Sequence, residues 1–274
     1  MGPDLSNGHS ERWIIANLFV LLLLAVAPSA VLLKYVLLRD KYAHEPMRLI
    51  AITFLFGALS IIPATILEIL LNSPNILINA FLVTALIEES MKYLAVRAKA
   101  YHSPNFNEVM DGIVYGVAAG LGFATVENLF YVFGFGTIST AIIRAFLSVP
   151  SHAAYAGIMG FYLGMAKANS QTMKKREKTL IVTGLAIAIT LHGLYDTVAF
   201  ALEGVAGLVA LVGMTLISWL ILLHLIKKAL TLSPVRWKSP TGFLSYPFRF
   251  CTQCGIQREP GSRYCVGCGQ RFEN

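Results

Sequence analysis

The sequence predicts an all-α polytopic membrane protein of about seven transmembrane helices, N-terminus outside and C-terminus cytoplasmic, followed by a small four-cysteine zinc ribbon. Three observations predict it. Of 274 residues 56% are hydrophobic and only 14% charged, with a mean hydropathy of +0.64, against about 25% charged in soluble domains. Lysines and arginines alternate between the connections that separate the apolar runs. All four cysteines fall in the last 24 residues, as two CxxC pairs.

The apolar runs are 14–38, 49–71, 76–97, 112–133, 138–165, 180–202 and 205–226. The first contains Ala27-Pro28-Ser29-Ala30, small residues of the kind found at signal-peptide cleavage sites, but continues apolar to Leu38. That length suits a retained span. The connections after runs one, three and five hold Arg39, Lys41 and Arg48, then Lys99, then Lys167, Lys174, Lys175, Arg176 and Lys178; Lys227, Lys228, Arg236 and Lys238 follow run seven. The intervening connections, 72–75, 134–137 and 203–204, hold none. By the positive-inside rule this sets the orientation, and it assigns the net charge of +7 to topology, not to a polyanion site. Run five, at about 42 Å of helix, exceeds a bilayer core of about 30 Å. Pro150 lies in its middle, so one bent element is expected. The domains are then 1–230, the transmembrane unit; 231–247, a Pro/Ser/Thr/Gly and basic linker; and 248–274, the ribbon.

Several polar residues interrupt these spans, at a cost of roughly 2.5 to 3.5 kcal/mol for each charge placed centrally. Run three carries Glu88, Glu89 and Lys92; Glu88 and Lys92 are four apart and expected to pair, leaving Glu89 about 100° away as the freer carboxylate and the slightly preferred general base. Run four carries Glu127 and Asn128 after Gly112, Gly116, Gly120 and Gly122, whose spacing suits close helix packing. Run five carries His152 beside Pro150. In run six, His192 and Asp196 are one turn apart, so the aspartate can orient the imidazole. Counting along each span places Glu88, Glu89, His152 and His192 near mid-depth, with Glu127 and Asp196 nearer the outer face. Glu68 and Arg144 count to the outer ends and read as interfacial residues or as each other's partner, outside the site.

Buried, mutually close carboxylates suit water activation, with histidine or asparagine donors for an oxyanion: the chemistry of hydrolysis. Zinc held by the histidines and carboxylates is a rival mechanism, although HExxH is absent. A transporter or proton relay, or a silent scaffold, would use the same residue types.

Together EESMK (88–92), FATVEN (123–128) and HGLYD (192–196), with His152 between the last two, match EExxK, FxxxEN and HxxxD. This ordered set resembles the PrsW family of intramembrane proteases, related to the glutamate-dependent clan that includes the CAAX prenyl endopeptidases. The resemblance covers 47–202 and implies a peptidase acting on a membrane-anchored protein, an anti-sigma factor in the founding case. It implies a site of Glu88, Glu89, Lys92, Glu127, Asn128, His152, His192 and Asp196, with no cofactor expected for catalysis. A bacterial or archaeal plasma membrane is the expected location.

In the tail, Cys251, Cys254, Cys265 and Cys268 form CxxC, ten residues, CxxC, each pair followed by glycine. Two such knuckles complete a closed tetrahedral zinc site that is structural, not catalytic. Two disulfides are the alternative, disfavoured in a reducing cytoplasm. Ribbons of this size more often bind proteins than nucleic acid, so the expected partner is a protein.

Overall fold

The computed structural model describes residues 5–42, 44–135, 137–169 and 174–233. The linker beyond 233 and the cysteine ribbon lie outside the described residues. Among those described every regular element is helical. The order is α1 (Leu5–Leu37), α2 (Met47–Leu59), α3 (Ile61–Leu71), α4 (Ile76–Ile78), a π-helical stretch (Asn79–Ala85), α5 (Leu86–Lys99), α6 (Val109–Phe135), α7 (Ile138–Ile143), a second π-helical stretch (Arg144–Ser148), α8 (Val149–Asn169), α9 (Lys174–Ala201) and α10 (Gly204–Thr231).

Five segments are long and apolar enough to cross a membrane by length and composition: Phe19–Leu37, Met47–Leu71, Val109–Gly134, Lys174–Ala201 and Gly204–Thr231. The other two apolar runs, 76–97 and 138–165, lie in composite helical elements, 76–99 and 138–169, each running without a gap through a π-helical stretch. In the second, the widening stops just before Pro150. A proline there has no N–H for the Phe146 carbonyl, and its ring would press on that carbonyl in a regular α-helix. The wider turn accommodates it while the element stays continuous. Pro63 acts similarly at the α2–α3 joint: it cannot donate to Leu59, and the helix is interrupted at Ser60.

Helix α6 is the centre of the bundle, its apolar window 94% buried against 17–28% for the other four segments. Its small residues permit this. A Cβ on Gly112 would lie 2.2 Å from the Gly160 carbonyl oxygen and one on Gly116 2.3 Å from that of Ala156, so α6 and α8 meet backbone to backbone. On another face, a Cβ on Gly122 would lie 2.0 Å from the Phe54 oxygen of α2. This is the packing expected from the glycine spacing. On a third face, Thr125 donates to Ser29 of α1 at 2.7 Å.

Helix α9 packs on α8 and on the first π-helical stretch, where Gly193 leaves room for the Phe81 ring. Helix α10 closes the far side of α8: Trp219 Nε1 donates to the Pro150 carbonyl at 3.0 Å, and Ser151 and Thr215 share a hydrogen bond of 2.9 Å. At the far end of α5 from the α3–α4 turn, the 100–108 connection buries Ala100, Tyr101 and Phe106. There Tyr101 donates to Glu177 at 2.8 Å, and Asp111 accepts from the backbone N–H groups of Asn107 and Glu108 at 2.7 and 2.6 Å. In the α1–α2 connection Asp40 is buried, and desolvation pushes its carboxyl up to about 6, with Glu108 and Glu45 adding and His44 opposing.

Candidate active site

The site forms where α5, α6, α8 and α9 face one another. Glu88, Glu89 and Lys92 share one turn of α5, directly after the π-helical stretch, and all three are buried. The Lys92 ammonium is the hub. Nζ donates to Glu89 Oε1 at 2.7 Å, to Glu88 Oε2 at 3.0 Å and to His152 Nδ1 of α8 at 2.8 Å. Its fourth side faces the Phe123 ring, 4.5 Å from the centroid. An ammonium only donates, so His152 Nδ1 is the acceptor and the ring hydrogen sits on Nε2. That nitrogen lies 2.9 Å from Glu127 Oε2 of α6.

Across the hub, His192 of α9 donates from Nδ1 to Glu89 Oε1 at 2.9 Å. Its Nε2 lies 3.4 Å from Asp196 Oδ2 and 4.0 Å from Glu88 Oε2. The two imidazoles meet edge to face, centroids 5.1 Å apart, and Tyr155 stacks on His192 at 5.6 Å. Seven of the eight residues expected in the site thus form one chain of contacts, Glu127–His152–Lys92–Glu88/Glu89–His192–Asp196.

The eighth is placed differently. Asn128 follows Glu127 on α6 and is turned toward α1: its Nδ2 donates to the Ala25 carbonyl at 3.4 Å, and its Oδ1 accepts from Arg144 Nε at 2.9 Å. One of its two amide N–H groups is engaged with α1, and Asn128 is not among the residues that line the cavity described below.

Two further expectations change. Glu89 is not the freer carboxylate: Lys92 reaches back to both glutamates, lies closer to Glu89, and Glu89 also receives His192. A four-carbon side chain spans the i−3 and i−4 positions together. Glu88 instead lines the cavity, about 660 Å³ in volume, which Glu127, His152, His192 and Asp196 also border.

Arg144 and Glu68 are not interfacial bystanders either, since both line this cavity. Arg144 pairs with Glu127 and not with Glu68: Nη2 lies 2.9 Å from Glu127 Oε1, and the guanidinium sits over the Tyr131 ring, 3.7 Å from its centroid. Depth counting located these residues along their helices but said nothing of the direction they face. An arginine inside an apolar run, sixteen residues after Asn128, was the only available signal.

Glu88, Glu89, His152 and His192 also offer metal-ligand atoms, all within 4.8 Å of one another. By type these donors fit a zinc site. The Lys92 ammonium stands against three of the four, so an ion held there would take its place.

The model for the PrsW family intramembrane metalloprotease matches 45–223. Protease PrsW of Geobacillus kaustophilus is 40% identical over 190 residues, covering 68% of this chain and 82% of that protein. Protease PrsW of Bacillus subtilis is 36% identical, covering 68% and 85%, and that of Clostridioides difficile 31% identical, covering 76% and 90%. No solved structure matches the chain.

Proposed function

The chain belongs to the PrsW family of intramembrane proteases, and from that premise we propose that it hydrolyses a peptide bond of a membrane-anchored protein with water activated by Glu88. That it is a multi-pass membrane peptidase follows from the family and from its apolar helices. The catalytic assignment rests on one observation: Glu88 borders the cavity, and its Oε2 lies 3.9 and 4.0 Å from nitrogens of two histidines.

In this reading Glu88 takes a proton from water as the water oxygen attacks the scissile carbonyl carbon. The carbonyl oxygen becomes an oxyanion that accepts from His192 Nε2–H; since Nδ1 already donates to Glu89, His192 acts here as the imidazolium, its charge matched by Glu89 and Asp196. Glu88 then returns its proton to the departing amine nitrogen as the carbon–nitrogen bond breaks. Glu89 and Lys92 hold the geometry: Glu89 fixes both the ammonium and His192, and Lys92 keeps the Glu88 carboxylate in place.

A second reading is favoured by the donor set and by the family's description as a metalloprotease. Glu88, Glu89, His152 and His192 would hold a divalent ion where the Lys92 ammonium stands, and the ion would supply Lewis-acid activation.

The seven-span arrangement with N-terminus outside, the plasma-membrane location, an anti-sigma-factor-like client, and a cytoplasmic zinc ribbon acting as a protein adaptor belong to the same proposal. The test compares membrane-protein fragments across the proteome of cells carrying the wild type or Glu88→Gln. A membrane-anchored client accumulating at full length in the variant supports the proposal; identical fragment profiles, with both proteins present in the membrane, overturn it.

A further inference from the structure

Arg144 stands outside the family motifs, yet it joins three residues of α6 at once. Nη2 lies 2.9 Å from Glu127 Oε1, Nε donates to Asn128 Oδ1 at 2.9 Å, and the guanidinium face covers Tyr131. Glu127 and Tyr131 are one turn apart, so the planar group lies along one side of α6, with Nε bonded to Asn128, Nη2 in ion-pair contact with Glu127 and one face over Tyr131. Only a guanidinium fills this arrangement, because its donors are fixed in a plane, while an ammonium is a point donor.

The consequence lies at the other oxygen of Glu127. With Oε1 held by Arg144, Oε2 stands 2.9 Å from His152 Nε2, and His152 Nδ1 in turn accepts from Lys92. The row Arg144–Glu127–His152–Lys92–Glu88 leads from the cavity wall to the general base. Arg144 sits in the π-helical stretch ahead of Pro150, on the same continuous helical element as His152. One element therefore supplies both the imidazole and the cation that aims its carboxylate partner.

We infer that Arg144 is a positioning residue for the proposed hydrolysis: it holds the Glu127 carboxylate beside His152 Nε2 and so keeps the imidazole turned with Nδ1 toward Lys92, the contact that sets its tautomer. The inference rests on the peptidase mechanism proposed above for its effect on rate, but its effect on His152 is readable without any substrate. Asn128, an amide of the kind expected to serve an oxyanion, belongs on this account to the anchoring of Arg144.

The test uses the full-length protein in lipid nanodiscs. Histidines are labelled with nitrogen-15 and His152 is assigned by the His152→Gln spectrum. The wild type is expected to show His152 as a single species with hydrogen on Nε2 and none on Nδ1. Arg144→Ala should lose that single species, and millimolar guanidinium, which can reach the cavity wall, should restore it. With the client that accumulates in Glu88→Gln cells as substrate, Arg144→Ala should lower kcat roughly 10- to 100-fold, the range for groups that orient a site residue. KM should change little, and guanidinium should recover much of the rate. An unchanged His152 spectrum in a folded Arg144→Ala protein overturns the inference, as does a kcat within about twofold of wild type, or a loss that guanidinium leaves untouched. If Arg144→Ala does not fold, Arg144→Lys decides by the same readings. It keeps the charge without the fork, so a wild-type spectrum and kcat in that variant overturn the inference. Failure of the wild type itself to cut any client would count against the peptidase mechanism alone.

Discussion

Lys92 concentrates the energetic problem of this protein, because an ammonium with no exposure to solvent must be matched on every side. Three acceptors and the face of Phe123 do so. Breaking a buried ion pair from one side costs more than the pair is worth, on the order of 3 kcal/mol. The two glutamates should therefore separate on mutation. Glu88→Gln should abolish cleavage and lower the thermal midpoint only modestly, because Glu89 and His152 still hold the ammonium. Glu89→Gln, which weakens the partner of both Lys92 and His192, should lower the midpoint clearly as well as the rate. Paired activity and melting measurements in detergent check this, and equal melting of the two variants would contradict it. At this scale the motif residues were legible as a set, since buried carboxylates and imidazoles on four helices need one another. Their individual facing was less so. A step of one residue turns a helix by about 100°, and this carries Asn128 away from the cavity that Glu127 borders. The reach of Lys92 to Glu89 and the direction of Arg144 depend on side-chain conformations that residue spacing does not encode.

The elements are held by small residues where their backbones touch. Gly116→Val should prevent normal folding, because its Cβ would fall 2.3 Å from the Ala156 carbonyl oxygen, which cannot move without its helix. Gly213→Ala on α10 meets nothing within 4 Å, and should be neutral or stabilise by about 0.5–1 kcal/mol through helix propensity. Expression level and thermal midpoint distinguish the two. The α1–α2 connection carries a pH dependence. The Asp40 carboxyl, raised from 3.8 to about 6 by burial, binds its proton more tightly in the folded state. Stability should thus fall as pH rises from about 4 through 6 and level off above. The wild type should melt higher at about pH 5 than at about pH 7.5, and Asp40→Asn should reduce that difference; an unchanged difference would contradict the account. The helices themselves were legible from apolar runs, and the composite at 138–169 followed from Pro150. The π-helical stretch before Glu88 had no proline of its own inside it to announce it.

For the whole molecule, the order of motifs along the chain carried the family, and charge alternation between the runs carried the expected orientation. The shared cavity was not legible, because its walls come from helices distant in sequence: Glu68 of α3 and Arg144 face the same space as Asp196 of α9. The cysteine tail makes its own prediction. Purified full-length protein should contain one zinc per chain, and Cys254→Ser with Cys268→Ser should remove it; elemental analysis reads the ratio, and unchanged zinc would contradict the ribbon. In the proposed mechanism Glu88 activates water while Lys92, not a metal, occupies the centre of the site. The most direct test of this mechanism is cleavage of the client by purified protein after exhaustive chelation, beside Glu88→Gln. The account predicts an undiminished rate for chelated wild type and none for Glu88→Gln; a rate lost on chelation and restored by zinc would contradict it.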